Sequence, residues 1–271
     1  MSNQAPAFWQ TVPASFSIEP RAYRTSTWSA HVPFAFWLIE TLRPAQFVEL
    51  GTWHGMSYLA FCQAMEAFET DTKAFAVDTW QGDPQAGSLS SDAFNSLRQA
   101  HDPHYARFSK LMRMTFDEAA LQFTDGSIDL LHIDGLHTYE AVRNDFETWL
   151  PRLSQRAVVI FHDTQVRERD FGVYRLWAEL TQRYAGFEFH HEHGLGVLGV
   201  GSNLPEGIRN LFAATSEPQA ADRVRQLFDS LGKAVRTKQV LKETQQGWDD
   251  LKSNLGVRAV MKAQRVAGLA R

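Results

Sequence analysis

Two groups of side chains in this chain have the types and spacing to do chemistry. The first is Glu49-Leu50-Gly51-Thr52-Trp53-His54-Gly55, with Asp78 following 27 residues after Gly51. Glycine lets a ligand come close to the backbone, and a helix starting after the loop presents amide N–H groups with no intrahelical partner. A carboxylate one strand-helix-strand unit further on is placed to accept hydrogen bonds from a ribose diol. The second group is Asp134 with His162 and Asp163, which lie 28 and 29 residues later. Two carboxylates and an imidazole can hold a divalent cation. The oxygen donors suit Mg²⁺, Mn²⁺ or Ca²⁺, and the imidazole moves the preference toward a transition metal. The plainer alternative is that Asp134 caps a helix and His162 is a hydrogen-bonded packing residue. His137, over the same strand end, can act as a general base near neutral pH, orient a ligand or cap a helix.

Glu49 narrows the nucleoside ligand. A dinucleotide loop reads G-x-G-x-x-G because the pyrophosphate sits against the helix N-terminus. Here the spacing is Gly51-x-x-x-Gly55, and a carboxylate stands two residues before the first glycine. That carboxylate would repel a pyrophosphate and suits a ligand carrying a cation or an amino group. S-adenosylmethionine carries both, as a sulfonium and an α-amino group.

The elements that must position these residues are read from apolar patterning. Phe47–Leu50, Ala74–Asp78, Ile128–Ile133 and Ala157–Phe161 are short apolar runs that end at the polar residues named above. Such runs read as buried parallel strands. A short strand is expected near Lys110–Met114, followed by a helix over Asp117–Phe123. Tyr139, Val142, Phe146 and Trp149 form the apolar stripe of one helix, with Asp145 offset from it as a solvated or paired carboxylate. Val173, Leu176, Trp177, Leu180 and Tyr184 form another. Leu59, Cys62 and Met65 mark the inner face of the helix after Gly55. The glycine- and serine-rich stretch from Trp80 to Ser91 reads as a long loop over the strand ends, of the kind that forms lids. Phe187–His190 and Gly196–Val200 read as a terminal antiparallel hairpin, with His190, His191 and His193 as surface or substrate-loop residues. The whole predicts an α/β fold with a doubly wound, Rossmann-like sheet, mostly parallel with an antiparallel edge hairpin.

Around that sheet the chain divides into an N-terminal arm and helix (1–45), a ligand-binding domain (46–201) and a helical C-terminal extension (202–271). In the extension, Val224, Phe228, Leu231 and Val235 keep 4-3-4 spacing, short of the three to four heptads a coiled coil needs. Arg258, Lys262 and Arg265 share one predicted helical face, read as a solvated tail.

With 44% apolar and 21% charged residues, the composition is that of a folded globular protein. A net charge of −4 gives no reason to expect a nucleic-acid partner. Cys62 is the single cysteine, which excludes an intrachain disulfide framework and a cysteine-rich zinc site. Met1–Gln4 carries no basic leader and no run is long enough for a transmembrane segment, so the expectation is a cytoplasmic protein.

Taken in order, Phe47–Thr52, Val77–Asp83, Ile133–Tyr139 and Phe161–Thr164 resemble class I S-adenosylmethionine-dependent methyltransferases, over roughly residues 28–201. More narrowly they are similar to the bacterial branch with sugar O-methyltransferases and methyltransferase modules attached to glycosyltransferases. The resemblance implies that Glu49, Gly51 and Asp78 contact the cofactor and that Asp134 stands by the methyl-transfer centre. Relatives acting on macrolide sugars bind Mg²⁺ through an aspartate after the fourth strand and an acidic pair after the fifth, where this chain has His162-Asp163. Gln155-Arg156 replaces a glycine turn that many class I enzymes carry before the fifth strand.

The expected activity is O-methylation of a small polar acceptor, a sugar or glycan precursor. Glu49, Gly51, Gly55, Asp78 and Trp80 would bind S-adenosylmethionine, with Trp80 over the adenine or in the lid. Asp134, His137 and Asp163 would be catalytic, and Asp134, His162 and Asp163 would hold Mg²⁺ or another divalent cation if a metal is used. The alternatives are a noncatalytic methyltransferase-like subunit docking a glycosyltransferase, and a nicotinamide oxidoreductase. The C-terminal helices are the expected contact for a second copy or a glycosyltransferase.

Overall fold

The apolar runs of the sequence become the centre of one seven-stranded sheet. The computed structural model describes residues 12–24, 26–83, 85, 87–88, 91–254 and 256. Its strands are β1 (Gln46–Leu50), β2 (Lys73–Asp78), β3 (Gly82–Asp83), β4 (Gly87–Ser88), β5 (Ser109–Arg113), β6 (Ile128–Ile133), β7 (Leu153–His162), β8 (Ala185–Phe189) and β9 (Leu195–Gly199). The sheet order is β5-β2-β1-β6-β7-β9-β8, and β3 and β4 pair separately as a small ribbon. From β5 to β7 the neighbours are parallel; β9 is antiparallel to both β7 and β8.

The central strands are mostly apolar because helices cover both faces, with Glu49, Asp129 and His132 among the buried exceptions. Side chains alternate between the two faces. Phe47, Leu130, Val158 and Ile160 join one core with Trp28, Phe34 and Phe61, while Val48, Leu131, Val159 and Phe161 join another with Val142, Phe146 and Trp149. The helices are α1 (Val32–Leu42), α2 (Met56–Ala67), α3 (Ser91–Tyr105), α4 (Phe116–Ala120), α5 (Tyr139–Trp149), α6 (Val173–Leu180), α7 (Glu206–Ala213) and α8 (Pro218–Ser253).

The chain leaves β1 toward β2 and β5, then returns to the other side of β1 at β6. This reversal opens a crevice at the carboxyl ends of β1 and β6. Gly51 N–H donates to Val77 O (3.0 Å) and Asp134 N–H to Leu50 O (2.8 Å), which draws the two strand ends together. Gly51 has φ +84°, and a Cβ there would lie 2.0 Å from the Asp134 carbonyl oxygen. The position requires glycine for its backbone conformation and for its close approach.

Several local expectations shift. The long loop before residue 91 gives way to α3, whose inner residues Ala93, Leu97, His101 and Tyr105 are buried. Its polar composition and Pro103 hide that spacing in the sequence. The helix expected over Asp117–Phe123 is shorter, Phe116–Ala120, and starts at a capping box between Thr115 and Glu118. Tyr184 lies beyond α6. Gln155 and Arg156 belong to β7 itself, and Arg156 Nη2 donates to Leu42 O at 2.7 Å. Asp145 is buried, contrary to a solvated carboxylate; burial, then the charge of Asp117, pushes its pKa up to about 7.

The first half of α8 packs through Val224, Phe228 and Val235, and Gly232 seats against Ala30. Beyond Gln239 its large apolar residues Val240, Leu241, Trp248 and Leu251 are exposed. Arg258, Lys262 and Arg265 lie outside the described residues. Among the described residues, no helix is long and apolar enough to cross a membrane.

Candidate functional site

A cavity of about 370 Å³ opens at the carboxyl rim of the sheet, between the Gly51 loop, Asp78, the Asp134–His137 segment, His162-Asp163 and the N-terminal residues Ser26–Trp28. It is of the size expected for a small-molecule site.

Gly51, Gly55 and Asp78 all line it. Asp78 braces the loop: its Oδ2 accepts from the amides of Thr52 (3.0 Å) and Trp53 (2.9 Å), and its Oδ1 from the amide of Trp80 (2.7 Å). Gly55 takes φ +79° to begin α2, close against Leu97. Trp53 sits between the glycines in the left-handed region at φ +48°, where non-glycine residues are uncommon.

Two residues expected against a ligand do not line the cavity. Trp80 is 2% exposed; its indole packs on Phe94 and donates to Trp53 O at 3.0 Å. Its aromatic bulk goes to the core, where it supports the loop from behind. Glu49 is wholly buried beneath the loop, its Oε2 accepting from His132 Nδ1 at 2.8 Å. Burial raises the Glu49 pKa, against the opposing pull of His132 and Ser57, and among the described residues Oε1 has no close hydrogen-bond partner. Ser57, on the cavity wall, is the link between Glu49 and the open space.

At the other end of the cavity, Asp134, His162 and Asp163 bring one potential ligand atom each within 4.8 Å of one another. The strand ends of β6 and β7 carry them there, and Asp163 takes φ +62° to turn inward. His162 Nδ1 lies 3.3 Å from Asp134 Oδ1 and 3.4 Å from Asp163 Oδ1. His137 joins them, with Nε2 2.8 Å from Asp163 Oδ2 and 3.4 Å from Asp134 Oδ1. His193 completes the ring, Nδ1 to Asp163 Oδ1 at 3.0 Å.

The electrostatics of this cluster are those of a mutually neutralised set. Burial pushes the two imidazoles down, but the carboxylates outweigh it and raise His162 to about 10 and His137 to about 9. Burial opposes ionisation of Asp134 and Asp163, yet His162 and His137 hold both well below the usual carboxylate range. With both carboxylates free, His137 is therefore a cation at neutral pH. In that state its ring has no lone pair for a proton, so a base role requires that it first be deprotonated.

The sequence did not single out Trp28, which lines the cavity, and it read His193 only as a surface or substrate-loop residue. Only the fold brings the β8–β9 turn over Asp163, so no local spacing marks His193. Gln85 also enters: its Oε1 accepts from the His137 amide (2.9 Å), and its Nε2 donates to Asp170 (2.7 Å). The His137 ring stacks on Phe171 at 4.7 Å.

Residues 48–164 match the family model of the methyltransferase domain. An uncharacterized protein of Sinorhizobium fredii, y4gI, is 47% identical over 194 residues, covering 72% of this chain and 21% of that protein. The chain thus spans about a fifth of the length of the curated relative it matches. Among solved structures, a candidate caffeoyl-CoA O-methyltransferase from Staphylococcus aureus is similar in fold, with a TM-score of 0.50, 16% identity, and 68% and 86% of the two chains covered. A methyltransferase from Geobacter sulfurreducens has a TM-score of 0.49 and 17% identity, with 66% and 80% covered. The matched residues span the glycine loop, Asp78, Asp134 and the His162-Asp163 pair, so this stretch of the chain is similar to a methyltransferase domain.

Proposed function

We propose that this chain transfers the methyl group of S-adenosylmethionine to a hydroxyl of a small polar acceptor, a sugar or glycan precursor. The observation that carries the reading is a single cavity that joins the braced glycine loop to the Asp134–His137–His162–Asp163 cluster. The donor fits the first part: Gly51 gives backbone access, Asp78 is placed for a ribose, and Ser57 on the wall is backed by the buried carboxylate of Glu49.

Among the described residues, the lining includes no lysine or arginine, but three tryptophan or phenylalanine rings, Trp28, Trp53 and Phe116. That supports a neutral acceptor held by stacking and hydrogen bonds over one recognised through phosphates.

In-line transfer forms the bond from the acceptor oxygen to the methyl carbon as the sulfur–carbon bond breaks, its electron pair passing to sulfur. The chain's contribution is to align the hydroxyl, which can remove much of the barrier, and to take its proton. Asp134 and Asp163 orient the hydroxyl, and His137 Nε2 accepts the proton once it is itself deprotonated.

The donor set also fits a divalent cation, held by Asp134, His162 and Asp163. A cation bound there would lower the pKa of a ligated hydroxyl.

The test is a screen with methyl-labelled S-adenosylmethionine against neutral sugars, sugar phosphates, catechols and acyl-CoA thioesters, with Mn²⁺ and with chelator. Label in a neutral hydroxylated acceptor is expected. Donor binding without transfer to any acceptor would favour the docking-subunit reading instead. The exposed Leu241, Trp248 and Leu251 of α8 support a contact there with a second copy or a glycosyltransferase under either reading.

A further inference from the structure

One buried side chain, His132, touches both a wall of the cavity and the carboxylate beneath the donor loop. Glu49 of β1 and His132 of β6 are register partners on adjacent parallel strands, so their side chains share a face. His132 Nδ1 is 2.8 Å from Glu49 Oε2, and the Trp28 indole Nε1–H donates to His132 Nε2 at 3.2 Å. An indole N–H only donates, so Nε2 carries the lone pair and Nδ1 carries the proton given to Glu49. The directions of the two bonds are therefore fixed. All three residues are at most 1% exposed, and only Trp28 reaches the cavity.

Trp28 needs such an anchor. It lies in a single short turn, Thr27–His31, capped by Ser26 and pinned from behind where Gly232 of α8 meets Ala30. A turn of this length has little stability of its own. The Phe61 ring, 5.4 Å away, packs the indole but cannot set its rotation; the His132 lone pair can. On the other side, the bond from Nδ1 holds Glu49 by Oε2, and Ser57 on the cavity wall interacts with the same carboxylate.

We propose that His132 is a positioning residue that registers the two sides of the site, fixing Trp28 on the cavity wall and holding the buried Glu49 carboxylate behind Ser57 on the donor side. The consequence for catalysis rests on the methyl-transfer reading; the hold on Trp28 does not. A histidine that merely filled space would be replaceable without separable effects, whereas one with two directed bonds can be split. In His132→Asn the amide nitrogen reaches the Nδ1 position and keeps the bond to Glu49, and Trp28 loses its acceptor. In His132→Gln the longer amide reaches the Nε2 position, so Trp28 keeps an acceptor and Glu49 loses its donor.

Two readouts on the full chain test this: solvent exchange of the Trp28 indole proton by NMR, and calorimetric affinity for S-adenosylhomocysteine. His132→Asn is expected to speed the exchange and leave the affinity within about twofold of wild type. His132→Gln is expected to keep the indole proton protected and weaken binding by about tenfold. Parallel changes in both variants, or none in either, overturn the proposal. If these variants do not fold, the wild-type ring decides: a His132 imidazole whose proton is found on Nδ1 by nitrogen NMR supports the proposal, and a proton on Nε2 overturns it. A wild-type protein that binds no S-adenosylhomocysteine defeats the methyltransferase reading instead. Faster indole exchange in His132→Asn would then still support the hold on Trp28, and unchanged exchange would overturn it.

Discussion

His137 Nε2 sits 2.8 Å from Asp163 Oδ2 and 3.4 Å from Asp134 Oδ1, and against its burial the two carboxylates together raise its pKa to about 9. Asp134 and Asp163 are each shared between imidazoles, so every proton and every cation entering the cluster competes for the same carboxylate oxygens.

For the metal-free protein this makes stability depend on pH in a fixed direction. His137 and His162 have folded pKa values of about 9 and about 10. Their contribution is fully present below the unfolded value of about 6.5 and is lost as pH rises through the folded values. Chemical denaturation should show stability falling from about pH 6.5 to 10, and His137→Gln should flatten part of that fall. A profile unchanged by the substitution would mean that His137 is not held as a cation.

A divalent cation should displace protons. His162 is protonated at neutral pH by the charges of Asp134 and Asp163, and an imidazole must be neutral to ligate. Mn²⁺ titration at pH 7 in buffers of different ionisation enthalpy should report about one proton or more released per ion bound. Asp134→Asn should abolish that binding. Binding without proton release would place the ion elsewhere.

Asp78 braces the loop, and under the proposed function it also binds the ribose of the donor; its removal should expose both. Three backbone amides lose their acceptor in Asp78→Ala, at about 0.5–1.5 kcal/mol for each such hydrogen bond. A lower melting temperature is expected together with at least about tenfold weaker binding of S-adenosylhomocysteine. Weakened folding with unchanged affinity would confine Asp78 to bracing the loop.

The buried Asp145 should be a stability liability above its unfolded pKa. With a folded value of about 7, it binds its proton more tightly folded than unfolded, so stability falls as pH rises from about 4 to 7. Asp145→Asn should stabilise the protein at pH 8, by a few kcal/mol at most, with the gain vanishing near pH 4. An equal effect at both pH values would contradict the raised pKa.

What could be read beforehand followed from local pattern. The apolar runs ending at Glu49-Leu50-Gly51, Asp78, Asp134 and His162 marked the parallel strands and the rim that carries the site, because strand ends and turns are local events. Asp134, His162 and Asp163 do converge. What the sequence concealed were side-chain directions. Glu49 and Trp80 stand next to the site along the chain, but the pleat turns Glu49 onto His132 and the core takes Trp80. Trp28 and His193 enter across long sequence separations, through a packed turn and a distant hairpin, and α3 was hidden by polar residues around Leu97.

The most direct test of the account is calorimetric titration of the full chain with S-adenosylhomocysteine and, separately, with NAD. One equivalent of S-adenosylhomocysteine should bind and NAD should not. No heat with S-adenosylhomocysteine, or binding of NAD in its place, would contradict the assignment of the carboxyl rim to a sulfonium methyl donor.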